Sequence, residues 1–201
     1  MKKNAIFIIL GIVGAIVLIT IIAFSWGVSR YNGLVSEQEK VNSQWANVES
    51  QYQRRADLIP NLVSTVKGYA THESSTLEGV VAARAKATQI TIDPKNLTPE
   101  KLQEYQAAQG QVSSALGKLL MITENYPDLK ANQNFLELQA QLEGTENRIS
   151  VERTRFNEVA QNYNKTIRTF PTNIIAGMFG FGNKPYFESE KGSEKAPEVK
   201  F

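Results

Sequence analysis

Residues 41–69 read VNSQWANVESQYQRRADLIPNLVSTVKGY. Val41, Trp45, Val48, Tyr52, Arg55, Ile59, Leu62, Val66 and Tyr69 recur there at alternating steps of four and three. That spacing keeps one stripe of a helix turned towards a partner, so the segment predicts a long helix packed in a bundle. The periodic pattern runs from about Arg30 to about Thr88. Pro60 interrupts its chemistry without shifting its phase. A helical proline removes one hydrogen bond and clashes with the preceding turn, at a cost of about 3 kcal/mol unless the helix bends or restarts. A restart with Asp57 as cap yields four helices of similar length. A kink yields three. The expectation favours four helices or a strongly kinked first one.

Working outward, a second periodic segment runs from Thr98 or Pro99 to about Tyr126, with Leu102, Tyr105, Val112, Leu116 and Leu119 on its stripe. Thr98 followed by Pro99 is a strong helix start, a side-chain cap and then a residue that needs no N–H partner. A third segment runs from about Asn132 to Phe170, carrying Phe135, Leu138, Leu142, Ile149, Phe156, Val159, Tyr163 and Phe170. Ile90–Leu97 contains Asp93-Pro94 and reads as a loop. Pro127–Lys130 is a short turn, which makes the second and third segments antiparallel neighbours. No segment alternates with period two, so the predicted fold is all-α, an up-and-down antiparallel bundle over residues 30–170.

Before the bundle, Asn4–Ser29 carries no charge, and AIFIILGIVGAIVLITIIAFSW at 5–26 is almost wholly apolar. About 20 helical residues cross a hydrocarbon core of about 30 Å. Residues 1–29 therefore read as a transmembrane anchor. A cleaved signal peptide normally has a shorter apolar core, although Ala23 and Ser25 do form a small-x-small pair. Trp26 suits the headgroup layer. Gly11 and Gly14 miss the GxxxG dimer spacing by one residue.

After Phe170 the sequence changes character. Residues 171–187 are apolar but rich in Gly and Pro, with no helix-length run. Two placements are open for them, folded back on the bundle end or set at the membrane interface. Residues 188–201 (ESEKGSEKAPEVKF) are charged and predict disorder.

Composition excludes several function classes. Lys and Arg number 22 against 20 Asp and Glu, and Lys2 and Lys3 precede the span, so the remainder is neutral. Duplex nucleic acid is not an expected partner of so neutral a domain. With no cysteine, thiolate catalysis, disulfides and Cys-ligated zinc are out of reach. His72-Glu73 lacks the second histidine of a zinc helix, since Thr76 stands there. Ser74-Ser75 and Ser113-Ser114 have no histidine at triad spacing. The GMFGFG run from Gly177 does not join a strand to a helix, so it makes no phosphate cradle. No catalytic constellation and no cofactor are implied.

Two charges fall on apolar stripes, Arg55 in the first segment and Glu152 in the third. A buried charge is costly unless paired. We expect Arg55 to meet Glu152 across the bundle, with Asp57, Arg84 and Arg153 completing a polar layer that sets helix register.

Tyr31-Asn32-Gly33-Leu34-Val35, Trp45, the run Gln51-Tyr52-Gln53-Arg54-Arg55-Ala56-Asp57-Leu58-Ile59-Pro60-Asn61-Leu62-Val63 and Lys67-Gly68-Tyr69 resemble the LemA family of bacteria. Ala83-Arg84-Ala85, Glu146-Asn147-Arg148-Ile149 and Arg153, Arg155, Phe156 and Asn157 extend the likeness, which covers about residues 30–182. The resemblance implies a bacterial single-pass protein of the cytoplasmic membrane with a helical bundle and no established activity.

Lys2 and Lys3 before the span favour a cytoplasmic N-terminus and a bundle outside. Some descriptions of the family place the short N-terminus outside instead, so both topologies stay open. The leading functional expectation is a non-catalytic interaction module or scaffold at the bilayer, whose partners are other membrane or envelope proteins or a second copy of itself. The alternative is a binder of a small anionic ligand or envelope component in the bundle core, with Arg55 and Arg84 as anion hooks.

Overall fold

A computed structural model describes residues 2–188. Its elements in order are α1 (Lys2–Lys67), α2 (Ser74–Gln89), a 3-10 turn (Pro94–Asn96), α3 (Pro99–Thr123), α4 (Pro127–Lys130), α5 (Gln133–Arg168) and α6 (Thr172–Phe179). Among the described residues there is no strand. The chain divides into two compact units. The first comprises Met1–Lys40 and Gln161–Asn183, and the second Val41–Ala160 and Lys184–Phe201. The helices α1 and α5 each contribute to both.

The second unit is a four-helix bundle. Its α1 face carries Trp45, Val48, Ile59, Leu62 and Val66, all at most 1% exposed. Facing them are Val80 of α2, Leu119 of α3, and Phe135 and Phe156 of α5, equally buried. All but Val80 are stripe residues of the sequence, and burying each aliphatic or aromatic side chain contributes about 1.5–3 kcal/mol. Side-chain contacts order the helices up, down, up, down. Arg84 of α2 meets Ala56 of α1, Gln109 of α3 meets Arg55, and Glu152 and Glu146 of α5 meet Gln44 and Arg55 in reverse order.

The chain does break within residues 30–88, but not at Pro60. Helix α1 passes through Pro60 and stops at Lys67. Gly68 lies just past that end, where the amides of Tyr69 and Ala70 both bond the Val66 carbonyl at 3.0 and 2.8 Å. Asp57 is no cap. It lies exposed on the helix and accepts from Gln53 Nε2 one turn earlier, at 2.7 Å. The turn between α1 and α2 is tied to the far end of α3 and the start of α5. The Tyr126 hydroxyl donates to Glu73 at 3.1 Å, and Asn132 Nδ2 donates to the Tyr69 hydroxyl at 2.9 Å. Asn132 Oδ1 also accepts from the Phe135 amide, capping α5. At the start of α3, Thr98 Oγ1 accepts the Lys101 amide and Pro99 holds the first position, as its sequence requires.

Residues 171–187 hold one helix that the sequence did not signal. It is the eight-residue α6, closed by Gly180 in the left-handed region at φ 74°. Without a Cβ, Gly180 reaches that conformation at no steric cost. From Lys184 the chain belongs to the second unit and enters its core. Phe187 is 5% exposed, stacks on Trp45 at 5.9 Å and meets Phe156 edge-on at 5.4 Å. Asn157 clamps its backbone, donating to the Phe187 carbonyl at 2.9 Å and accepting its amide at 2.8 Å. Of the expected disordered tail, the Glu188 carbonyl accepts from Gln106 and Arg153. Residues 189–201 lie outside the described residues.

In the first unit, α6 packs beside α1. Ile175 reaches Gly27, and Phe179 and Phe181 meet Tyr31 edge-on at 4.8 and 5.7 Å. Residues 9–24 expose their apolar side chains all round, and this stretch of α1 is long and apolar enough to cross a membrane.

Candidate functional site

Arg55 sits on the apolar stripe of α1 and is 1% exposed. Its guanidinium is held from three helices. Nη1 donates to Glu146 Oε1 of α5 at 2.6 Å and to Ser113 Oγ of α3 at 2.7 Å. Nη2 donates to Gln109 of α3 twice, to the side-chain oxygen at 2.7 Å and to the carbonyl at 3.1 Å. The planar cation also lies over the Tyr52 ring, 5.1 Å from its centroid. A buried guanidinium needs partners for its donors and a balancing charge, and this set engages both Nη groups and supplies the carboxylate.

The expected ion pair therefore has a different acid. Glu152 is engaged elsewhere, accepting from Gln44 Nε2 at 2.6 Å and from Arg155 Nη1 at 2.7 Å. Helix rise explains the difference. Glu152 is level with Gln44, eleven residues before Arg55, which is about 16 Å along α1. Glu146 lies on the flank of the α5 stripe, between buried Thr145 and Ile149, at the level that Arg55 reaches.

The other residues of the expected layer separate. Asp57 stays on the surface with Gln53. Arg84, half-buried, donates Nε to the carbonyl of Ala56 at 2.7 Å. That carbonyl is the acceptor that residue 60 would fill if it had an N–H, so Arg84 replaces the hydrogen bond that Pro60 cannot make. Arg153 donates to the Glu188 carbonyl at 2.7 Å and covers the Phe187 ring at 5.1 Å. It secures the C-terminal segment. The layer thus consists of Arg55, Glu146, Gln109 and Ser113. Sequence reasoning missed the last three because none of them stands out by charge on an apolar stripe.

Two cavities flank Arg55, and Tyr52, Arg55 and Gln109 line both. The first, about 370 Å³, lies among α1, α2 and α3, with Glu49, Arg84 and Tyr105 in its wall. The second, about 380 Å³, lies among α1, α3 and α5, with Glu146, Arg153 and Glu188 in its wall. Burial pushes the Glu49 carboxyl up from its usual range, partly offset by the Trp45 indole N–H. The Tyr105 hydroxyl is also pushed up, first by burial and then by neighbouring Tyr52 and Glu49. An acid already short of solvation makes the first cavity a poor place for a second anion.

Elsewhere, burial pulls the Lys184 amine down, opposed by Asp93, while its Nζ donates to the Pro94 carbonyl at 2.9 Å. Among the described residues, no cluster of three His, Cys, Asp or Glu side chains could hold a metal ion. His72 is exposed.

A third recess, about 480 Å³, lies between α1 and α2 near their shared turn. Val63, Leu77, Val81, Ala82 and Ala85 form its apolar floor, and Lys67 and Glu78 stand in its wall.

Comparison with known proteins finds relatives over most of the chain. The chain is 27% identical over 164 residues to Protein LemA of Metamycoplasma hominis, covering 82% of this chain and 71% of that one. It is 28% identical over 182 residues to Magnetosome protein MamQ 2 of Paramagnetospirillum magneticum, covering 82% and 67%. It is 26% identical over 198 residues to Magnetosome protein MamQ of Magnetospirillum gryphiswaldense, covering 90% and 73%. The model of the LemA family matches residues 44–201, the span that holds Arg55, Glu146 and the docked Phe187, and the chain belongs to the LemA family.

Proposed function

We propose that this protein is a non-catalytic interaction module, anchored in the cytoplasmic membrane by α1, whose bundle presents a surface to other membrane or envelope proteins. The observation that carries this reading is the recess between α1 and α2, where Val81 is 48% exposed beside Val63, Leu77 and Ala85. An apolar strip between two helices, edged by one cation and one anion, fits the apolar face of a partner helix. Arg55 supports the same reading, because its charge is balanced by Glu146 and both its Nη groups are bonded within the bundle. Neither it nor Arg84 is disposed as an anion hook, which weighs against a small anionic ligand in the core. Lys2 and Lys3 before the span favour a bundle on the extracytoplasmic side.

Affinity purification of the full-length chain from its own membranes tests the reading. Co-purifying proteins that are lost on Val81→Glu, with the melting temperature unchanged, support an interaction module. A bound metabolite with no protein partner would overturn it. A cysteine introduced at exposed Ser114, labelled in intact cells by an impermeant maleimide, tests the side of the membrane. Labelling only after lysis would place the bundle in the cytoplasm.

A further inference from the structure

Helix α6 and the turn before it carry an apolar stripe that faces away from the protein. Phe170, Ile174 and Met178 are spaced by four and are 75%, 52% and 72% exposed. Ile174 and Met178 lie one turn apart on one face of α6, Phe170 stands in the turn before it, and exposed side chains of that size need a cover. Their place beside α1 indicates which one. Ile175 lies beside Gly27, where an added Cβ would meet it, and the Phe179 ring meets Tyr31, an advance of four residues on both helices. The two helices therefore run side by side in the same direction. At about 1.5 Å per residue, Thr172 lies about 4.5 Å below Ile175, level with Phe24. Phe170 precedes it. The turn from α5 into α6 thus reaches the level where the apolar run of α1 ends, with Trp26 alongside.

Charge points the same way. Between Glu158 and Glu188 the sequence has no Asp or Glu. Lys165 and Arg168 lie exposed on the last turn of α5, and Arg30 lies over the Trp26 ring at 5.8 Å. An apolar tip rimmed by cations and free of acids matches the boundary between acyl chains and anionic headgroups.

We propose that the α5–α6 tip is a second membrane contact, immersed in the leaflet from which α1 emerges, with Phe170 deepest, Ile174 above it and Met178 shallowest. The occupant of the stripe is lipid, and the contact rests on α1 spanning the bilayer. It holds the start of the C-terminal segment at the surface and restricts the tilt of α1 at its exit.

The chain has no cysteine, so single cysteines at Phe170, Ile174 and Met178 can each carry a nitroxide in the full-length protein. Ile16→Cys serves as the acyl reference and Ser114→Cys as the aqueous one. In vesicles of phosphatidylcholine and phosphatidylglycerol, power saturation with oxygen and a nickel chelate reads depth. The expected result is a several-fold loss of nickel accessibility at Phe170 relative to Ser114, with smaller losses at Ile174 and Met178 in that order. If all three match Ser114 while Ile16 reads as acyl, the span stands and the second contact is wrong. If Ile16 also reads as water, the anchor and the contact fail together. Dipolar broadening at Met178 with low access to both reagents would assign the stripe to a second copy, and overturn the lipid reading.

Discussion

Arg84 of α2 donates its Nε–H to the carbonyl of Ala56 at 2.7 Å, the acceptor that Pro60 leaves open in α1. Ala56 is 8% exposed, so water does not readily take the place. A side chain from the next helix thus lets a proline sit inside a continuous helix, and ties α2 to α1 at one level. Arg84→Ala should lower stability by about 1–3 kcal/mol, the usual penalty for orphaning a buried polar group. Pro60→Ala restores the backbone N–H and should recover most of that loss in the double variant. Urea unfolding of all four proteins in detergent measures the coupling, and additive effects would refute the link.

The Arg55 layer makes a second contrast. Glu146→Gln removes the charge balancing a buried guanidinium and should destabilise by about 1–3 kcal/mol. Glu152→Gln removes the charge opposite the exposed Arg155 but keeps an amide oxygen that can accept from Gln44, so stability should change by less than about 1 kcal/mol. The reverse order in thermal melts would contradict the geometry at Arg55.

Phe187 is treated by the bundle as a core residue. Phe187→Ala should cost about 3 kcal/mol through the cavity left beside Trp45 and Phe156. Asn157→Ala should act in the same direction by releasing the backbone clamp. Trp45 fluorescence is the readout, and a red shift in the folded baseline of Phe187→Ala is expected as water reaches the indole.

Glu49 supplies a pH test. Burial raises its folded carboxyl above the ordinary value of 4.5. A raised acid binds its proton more tightly when folded, so its contribution is most favourable below pH 4.5 and declines as pH rises through the folded value. Glu49→Gln should therefore raise the melting temperature at pH 7, and the gain should vanish below pH 4.5. An equal gain at both pH values would remove titration as its cause.

Much of the architecture is legible in the stripes. Trp45, Val48, Ile59, Leu62 and Val66 are buried because they share one face of a 3.6-residue turn, and that face needs no knowledge of its partner. The start of α3 is equally local, since Thr98 and Pro99 act on their own backbone. The break at Gly68 was hidden because Val66 and Tyr69 continue the same rhythm past it, while Pro60 supplied a louder breaking signal. The cure for Pro60 comes from Arg84, 24 residues later, and no local window contains it. Glu146 was missed for a related reason. A stripe tells which residues face inward, but it does not tell how far one helix slides past another.

By itself, then, the sequence determined the apolar N-terminal run, the helical class and most of the residues that α1, α3 and α5 turn to the core, because each follows from periodicity over a few turns. Periodicity fails at the helix ends, where Tyr69 and Phe170 lie exposed. Only the tertiary structure decided which acid meets Arg55, that Pro60 lies within an unbroken helix, and that Phe187 closes the core. Each of those depends on axial register between elements distant in the chain. Register is set by the summed packing of whole helix faces, with side chains such as Arg55 and Arg84 long enough to bridge them.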